Sequence, residues 1–178
     1  MGVVKEASVA GEEAEIQRIY RATLGEIYGY LMLTTGGDRA LSDDLLAETY
    51  LHAARHVGTG RGDEVTIPWL KTVAKRRFID HLRREDAMRR RARRLQDALT
   101  LHDQEQRSDH VSRVHDSVYA ALDGLAPEQR LAIVMRHLDG ASLPEIADAL
   151  GRSVKAVESL LGRGRIAFRT AFEGIERD

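Results

Sequence analysis

The 178-residue sequence contains no cysteine, only three prolines and few aromatic residues, which make up 5% of the chain. Without cysteine, neither a disulfide framework nor a thiolate metal site can form. The scarcity of proline and the abundance of Ala, Leu, Arg and Glu favour an all-α fold. The hydrophobic share of 43% is enough for real cores, and the length allows one domain or two small ones.

Long hydrophobic runs and a basic-then-apolar leader are also missing. The longest apolar stretch, residues 27–33, is far too short for a helix that spans a bilayer. We therefore expect a cytoplasmic protein with no membrane insertion.

The net charge of −1 conceals a strong segregation of charge along the chain. Residues 71–94 contain eleven Lys/Arg against three Asp/Glu, a net charge of +8, and residues 152–178 contain six against four. The other two segments are acidic, with net charges of −5 for residues 1–70 and −6 for residues 95–151. Two basic islands separated by acidic segments indicate a polyanion that is contacted at two places.

A helix-turn-helix pattern occupies residues 142–169. Ser142 and Glu145 have the spacing of a capping box, and Gly151 is suited to ending the helix that they begin. Ser153 can cap a second helix, which is basic on its outer face and whose inner face is predicted to contain Val154, Val157, Leu160 and Leu161. This pattern predicts that the second helix enters the DNA major groove. An ordinary helical hairpin is the alternative.

Apolar residues at helical spacing predict the other helices. The first spans residues 12–34, and residues 1–11 are expected to fray. The second begins after Ser42 as its N-cap and reaches residue 57. Two more span residues 114–125 and 127–138, and the inner face of the latter comprises Leu131, Val134, Met135 and Leu138.

A further helix, beginning at Pro68, is unusually basic. Trp69, Leu70, Val73 and Ala74 lie on one arc and are expected to pack inward, while lysines and arginines cover the remaining faces. A charged face that serves only solubility is the alternative to a helix that follows nucleic acid, which we favour. The polar residues 95–115 are read as a linker.

Two neighbouring features, a glycine-rich loop and a pair of histidines, are similar to sites for other chemistry. The glycine-rich loop, residues 58–66, can approach a phosphate but lacks the GK[ST] ending of a P-loop, which argues against nucleotide hydrolysis. His52 and His56 have the four-residue spacing of a helical metal pair, but no third ligand is evident, so two ordinary surface histidines are the preferred interpretation. We expect no metal and no cofactor.

Taken in order, several motifs resemble the extracytoplasmic-function sigma factors of bacterial RNA polymerase. DDLLAETYLHA is similar to the family's core-binding segment, PWLKTVAKRRFIDHLRR to its minus-ten helix, and LAPEQRLAIVMRHLDGASLPEIADALGRS to its C-terminal helix-turn-helix. The resemblance implies an all-α fold of two small helical domains joined by a polar linker. The implied bounds are residues 1–94 for sigma domain 2, 95–115 for the linker and 116–178 for sigma domain 4.

The resemblance also implies three sets of site residues. The set that would bind the largest subunit of core RNA polymerase is Asp43, Asp44, Leu45, Glu48, Thr49 and Tyr50. The set that would bind the minus-ten promoter element is Arg61, Trp69, Lys71, Lys75, Arg76, Arg77, Arg83 and Arg84. The set that would bind the minus-thirty-five element is Arg152, Ser153, Lys155, Ala156, Glu158, Ser159, Arg163 and Arg165.

The sequence departs from the family pattern at four positions. Ala47 replaces a common Gln, Arg76 a frequent Asn, and Glu158 and Leu160 replace a lysine and an arginine of the recognition helix. Because a glutamate can accept from cytosine or repel a phosphate, we expect this protein to read its own promoter sequence.

The resemblance therefore implies a sigma factor that helps to open promoter DNA and is not an enzyme. Its expected partners are the largest and second-largest subunits of core RNA polymerase, promoter DNA and an anti-sigma factor. A stand-alone helix-turn-helix regulator is the main alternative, but it gives no reason for the two N-terminal motifs. A nucleic-acid-processing enzyme is disfavoured because no nucleophile constellation or pair of carboxylates at metal spacing is evident.

Overall fold

The computed structural model describes residues 2–96 and 115–175, and within these ranges it contains seven α-helices and no strand. The helices are α1 (Gly2–Thr35), α2 (Arg39–Val57), α3 (Ile67–Gln96), α4 (His115–Asp123), α5 (Pro127–His137), α6 (Leu143–Leu150) and α7 (Val154–Ile175). The all-α prediction is confirmed. The predicted linker lies outside the described residues, except at its two ends, which belong to α3 and α4.

The helices α1 to α3 pack together as the N-terminal unit. Their apolar residues recur at helical spacing, so each helix presents one stripe to a shared core. The core residues contributed by α1 include Ile27, Tyr30 and Leu31, those of α2 Leu45, Ala53 and Val57, and those of α3 Leu70, Ala74 and Phe78.

The helices α4 to α7 form the C-terminal unit, and α6 and α7 make the predicted helix-turn-helix. The Ser142 N–H and hydroxyl each donate to the Glu145 carboxylate at 2.7 Å, and these bonds lower the pKa of Glu145. Gly151 ends α6 with a φ of 64°, and the N–H of Ala156 donates to the Ser153 hydroxyl. The capping box, the glycine stop and the second cap are confirmed.

Some helix ends differ from the sequence-based expectations. The helix α1 begins at Gly2, so residues 2–11 are helical and not frayed. The N-cap of α2 is Asp38, whose carboxylate accepts from the N–H of Leu41, whereas Ser42 is buried and its hydroxyl contacts that of Thr35 at 2.8 Å. The cap was misplaced because the sequence offers two capping residues four positions apart.

Two residues expected on inner faces are exposed. Leu138 is 51% exposed because it follows the last residue of α5, and Val154 is 40% exposed because it is the first residue of α7. Periodicity carries no information where a helix begins or ends, which explains both errors.

The two units pack against each other, with α5 on α1 and α6 on α3. Buried residues of both units form one continuous cluster. This packing brings the basic helix α3 next to the turn between α5 and α6. None of the helices in the described ranges combines the length and apolar content that a bilayer crossing needs.

Candidate polymerase and nucleic-acid interface

The predicted polymerase-binding residues of α2 divide between its two sides. Asp43 and Asp44 are exposed, and the Glu48 side chain is 41% exposed. The other three are buried, so their side chains cannot form part of a docking surface; they are Leu45, Thr49 and Tyr50. The Thr49 hydroxyl donates to a backbone carbonyl of its own helix, and the Tyr50 hydroxyl contacts that of Thr23. The candidate surface therefore narrows to the three carboxylates.

The exposed face of α2 contains two more residues that were not predicted from the sequence. Leu51 is 58% exposed, and together with Arg55 it lines an open cleft of about 410 Å³ between α2 and α3. Asp44, Glu48, Leu51 and Arg55 are spaced by four, three and four residues, which is the spacing of one helix face. That spacing was the signal available in the sequence, since it places one apolar side chain among three charged ones on the same helix face.

The glycine-rich loop is held against α1. The side chain of Arg61 is exposed, and its Nε donates to the Thr59 hydroxyl at 3.2 Å. Gly62 begins a short 3-10 turn, where a methyl group would overlap the Glu15 carboxylate. Gly60 has a φ of 76°, a conformation that favours glycine. The loop thus presents Arg61 at the edge of the N-terminal unit, close to α3.

Trp69 is half-buried and stacks against the two histidines of α2. Its ring centre lies 5.6 Å from that of His52 and 4.9 Å from that of His56. The His56 Nε2 contacts the Glu64 carboxylate at 3.0 Å, and Arg77 lies 3.4 Å from the Nδ1 of His52. Burial and, secondarily, the Arg77 charge lower the pKa of His52. The histidine pair thus supports the tryptophan.

The predicted minus-ten residues of α3 fall on two faces. Trp69, Arg76 and Arg83 are spaced seven residues apart, so they follow one line along the helix. Arg76, Arg83 and Arg84 are exposed, and Arg77 lies 3.8 Å from the Glu48 carboxylate. The exposed line of arginines is the part of α3 that is open to a polyanion.

The two lysines of the set lie on the other face and have partners within the chain. Lys71 donates to the Glu26 carboxylate at 2.7 Å, and its ammonium lies 5.8 Å from the centre of the Tyr30 ring. Lys75 donates to the Asp139 carboxylate of the C-terminal unit at 2.7 Å. In this conformation neither lysine is available to nucleic acid.

The helix α7 presents its predicted minus-thirty-five residues to solvent. All eight residues of that set are exposed, including the five of its outer ridge and flanks: Lys155, Ala156, Glu158, Ser159 and Arg163. Arg165 is exposed on the next turn, beside Ile166, which is 70% exposed. Val157 and Leu161 are buried and fix the face that α7 turns inward. The exposed ridge has the form of a recognition helix.

Two members of that set have structural partners. Arg152 donates twice to the Glu128 carboxylate, at 2.8 and 3.0 Å, and this pairing raises its pKa. The pair ties the turn of the helix-turn-helix to the start of α5. Ser153 caps α7 through its hydroxyl, as described above. Arg152 and Ser153 therefore position the recognition helix even before any nucleic acid is bound.

Comparison with known proteins identifies the family. The model of Sigma-70 region 2 matches residues 19–88, and that of Sigma-70, region 4 matches residues 115–168. The ECF RNA polymerase sigma factor SigX of Bacillus subtilis is 31% identical over 168 residues, covering 90% of this chain and 85% of the relative. The chain belongs to the ECF sigma factors. A sigma factor recognises promoters for RNA polymerase, so the stand-alone regulator is not favoured.

Another relative and one solved structure are also similar to this chain. The ECF sigma factor BldN of Streptomyces coelicolor is 28% identical, over 87% of this chain and 59% of the relative. The solved structure of the sigma factor RpoE in complex with the anti-sigma factor NepR, from Bartonella quintana, matches 88% of this chain and 96% of that chain. Its TM-score is 0.51 at 19% identity, which shows a shared fold.

Proposed function

We propose that this sigma factor divides its work among three surfaces. The carboxylates of α2, with Leu51 and Arg55, dock on core polymerase. The glycine-rich loop and the exposed arginines of α3 engage the minus-ten element, and the ridge of α7 reads the minus-thirty-five element. We assign the first two surfaces to residues 1–94 and the third to residues 116–178.

The observation that carries this proposal is the presence of two separately exposed basic helices in one chain. The exposed arginines of α3 suit a backbone-tracking contact, and half-buried Trp69 on the same line offers an aromatic face to an unstacked base. The ridge of α7 suits a duplex groove. A protein that binds duplex at one site and single strand at another favours opened over closed DNA.

The promoter specificity of α7 should be particular to this chain. Lys155 and Ser159 can donate to base edges, and Glu158 can accept from a cytosine amino group. Arg163 and Arg165 are placed to contact phosphates on either side. The second-largest polymerase subunit would then contact the C-terminal unit on a surface other than this ridge.

The protein is proposed to act in the cytoplasm, without catalytic chemistry of its own, and to be held inactive by an anti-sigma factor. Support for such a partner comes from the Bartonella quintana sigma factor, which was crystallised with one. The exposed α2 stripe, which mixes carboxylates with Leu51, is the surface that we expect the partner to cover.

Reconstituted transcription tests the proposal. Core polymerase with this protein should start transcripts at specific positions in a run-off assay over a genomic library, and starts no more frequent than with core alone would refute it. Asp44→Arg should abolish those starts while leaving duplex binding by α7 intact. Glu13→Arg, an equal charge change at an exposed position of α1, is the matched control. A stand-alone regulator would tolerate both substitutions equally.

A further inference from the structure

A polar cluster joins the two units beside the basic helix. The Asp139 carboxylate accepts from the Lys75 ammonium at 2.7 Å and from the Tyr30 hydroxyl at 3.1 Å. These three residues come from the turn after α5, from α3 and from α1. We call Tyr30, Lys75 and Asp139 the latch.

The three side chains of the latch are largely buried. The side chains of Lys75 and Asp139 are only 18% and 12% exposed, and Tyr30 is 2% exposed. Burial and the neighbouring Asp139 charge raise the pKa of the Tyr30 hydroxyl, which therefore stays a donor. A partly buried ion pair with an added hydrogen bond is a stronger contact than the exposed pairs elsewhere on the surface.

A second contact holds the units together a short distance away. Arg130 of α5 donates to the carbonyl of Thr35, the last residue of α1. Its guanidinium also donates to three carbonyls of its own unit, those of Leu122, Asp123 and Leu125. Arg130 therefore stays well hydrogen-bonded when the units separate, so this contact can be released without leaving a buried donor unpaired.

The interface around the latch is incompletely packed. A cleft of about 740 Å³ lies between α3 and the α5–α6 turn, and its lining includes Arg76, Ile79, Met135 and Glu145. Closely packed protein interiors contain few gaps of this size. The apolar contact between the units is thus interrupted beside the latch, and the latch supplies part of what holds the units together.

We infer that the Lys75 ammonium has two mutually exclusive partners, the Asp139 carboxylate in the closed chain and a nucleic-acid phosphate in the opened chain. In the closed chain Ile79 is buried. Arg76 and Arg83 line the cleft and stay exposed, and the Arg83 guanidinium donates to the Ala149 carbonyl at 3.4 Å. Asp139 thus keeps part of the N-terminal basic face occupied until the units separate. The phosphate half of this inference rests on the proposed function, whereas the closure half does not.

The distance between the units tests closure. The natural chain has no cysteine, so Ala22→Cys and Thr170→Cys, at exposed positions of α1 and α7, give two unique sites for spin labels. Asp139→Asn should shift the distance distribution to longer values. Asp148→Asn removes the same charge from an exposed position of α6 and should match the parent. Equal distributions for the two variants would overturn the inference.

Binding of a labelled oligothymidylate 20-mer, measured by fluorescence anisotropy, tests the exchange of partners. Because apparent affinity scales with the fraction of chains in the competent state, Asp139→Asn should bind about three- to tenfold more tightly than Asp148→Asn. Longer distances without tighter binding would overturn the phosphate half. If no variant supports promoter-directed transcription, the proposed function is contradicted. The distance measurement then still tests whether the two units close on each other.

Gly36 offers an independent way to open the chain. Its φ is 77°, and a methyl group there would overlap the Arg130 guanidinium, whereas Gly37, with a φ of 89°, has the Tyr119 Cβ as its nearest neighbour at 3.7 Å. Both alanine variants place a side chain at a positive φ, so both incur backbone strain. Only Gly36→Ala should lengthen the distances, and equal distances in the two would show that the Arg130 contact is no part of closure.

Discussion

The two basic helices, α3 and α7, are built in opposite ways. The helix α3 is embedded, with Leu70, Val73, Ala74, Phe78 and Ile79 buried and its lysines engaged by acids of other elements. The helix α7 lies at an edge, with Val157, Leu161 and Gly164 buried and a ridge of exposed residues. Positive charge in the sequence therefore does not by itself indicate an available surface. What decides availability is whether the neighbouring elements supply carboxylates.

The largest expected effect is on stability, and it contrasts a buried residue of α3 with an exposed residue of α7. Phe78→Ala removes a side chain that is 1% exposed and should lower the free energy of unfolding by about 3–5 kcal/mol. Ile166→Ala on the exposed ridge of α7 should change it by less than about 0.5 kcal/mol. Urea denaturation followed by circular dichroism measures both. Equal losses would mean that α7 is as deeply packed as α3.

Two glycines of α7 test how closely this helix packs against α5. Gly162 has no atom within 4 Å of an added methyl group, whereas at Gly164 the methyl would lie 3.0 Å from the Cδ1 of Ile133. Alanine at Gly162 should stabilise the helix by about 0.5–1 kcal/mol. At Gly164 the same gain is offset by about 1–3 kcal/mol of overpacking.

Thermal unfolding of the two glycine variants measures the difference. The melting temperature of Gly162→Ala should rise, and that of Gly164→Ala should stay near the parent or fall. A rise of equal size in both would show that α5 and α7 are less closely packed than the structure has them.

Single lysine substitutions test directly whether each helix presents its positive charge to DNA. On mixed-sequence duplex DNA no particular base is matched to Lys155, so its ammonium pairs with phosphate there. Lys155→Gln should therefore weaken that binding and reduce the slope of log affinity against log salt by about 0.9. It should leave stability within about 0.5 kcal/mol. Lys71→Gln on α3 should show the reverse, a loss of stability from the broken contact with Glu26 and a smaller change in the salt slope. The same slope change in both would mean that Lys71 is as accessible as Lys155.

The local features of the fold were predictable from sequence, and the availability of side chains was not. The caps at Ser142 and Gly151 depend on residues within one turn, so their spacing is sufficient. The partners of Lys71 and Lys75 lie 45 and 64 residues away in sequence. No periodicity within one helix contains that information. The burial of Thr49, like the caps, was predictable, because its spacing places it on the apolar stripe of α2, and its hydroxyl is satisfied on its own helix.

The smallest expected effect concerns the histidine that supports Trp69. Burial first, and the Arg77 charge second, lower the pKa of His52 in the folded chain. The unfolded chain therefore takes up a proton first, so the stabilisation present above the unfolded pKa of about 6.5 is lost as the pH falls through the folded pKa. Because the side chain is only partly buried, the loss should be a few tenths of a kcal/mol.

Titration of the imidazole by NMR checks both the direction and the cause of the His52 shift. The pKa of His52 should lie below its ordinary value in the parent and rise in Arg77→Gln, since that change removes the nearer positive charge. The free energy of unfolding should vary less between pH 7.5 and 5.5 in His52→Gln than in the parent. An unchanged pKa in Arg77→Gln would show that the Arg77 charge has no part in the shift, which would then come from burial and from the smaller effects of His56, Arg55 and Arg76.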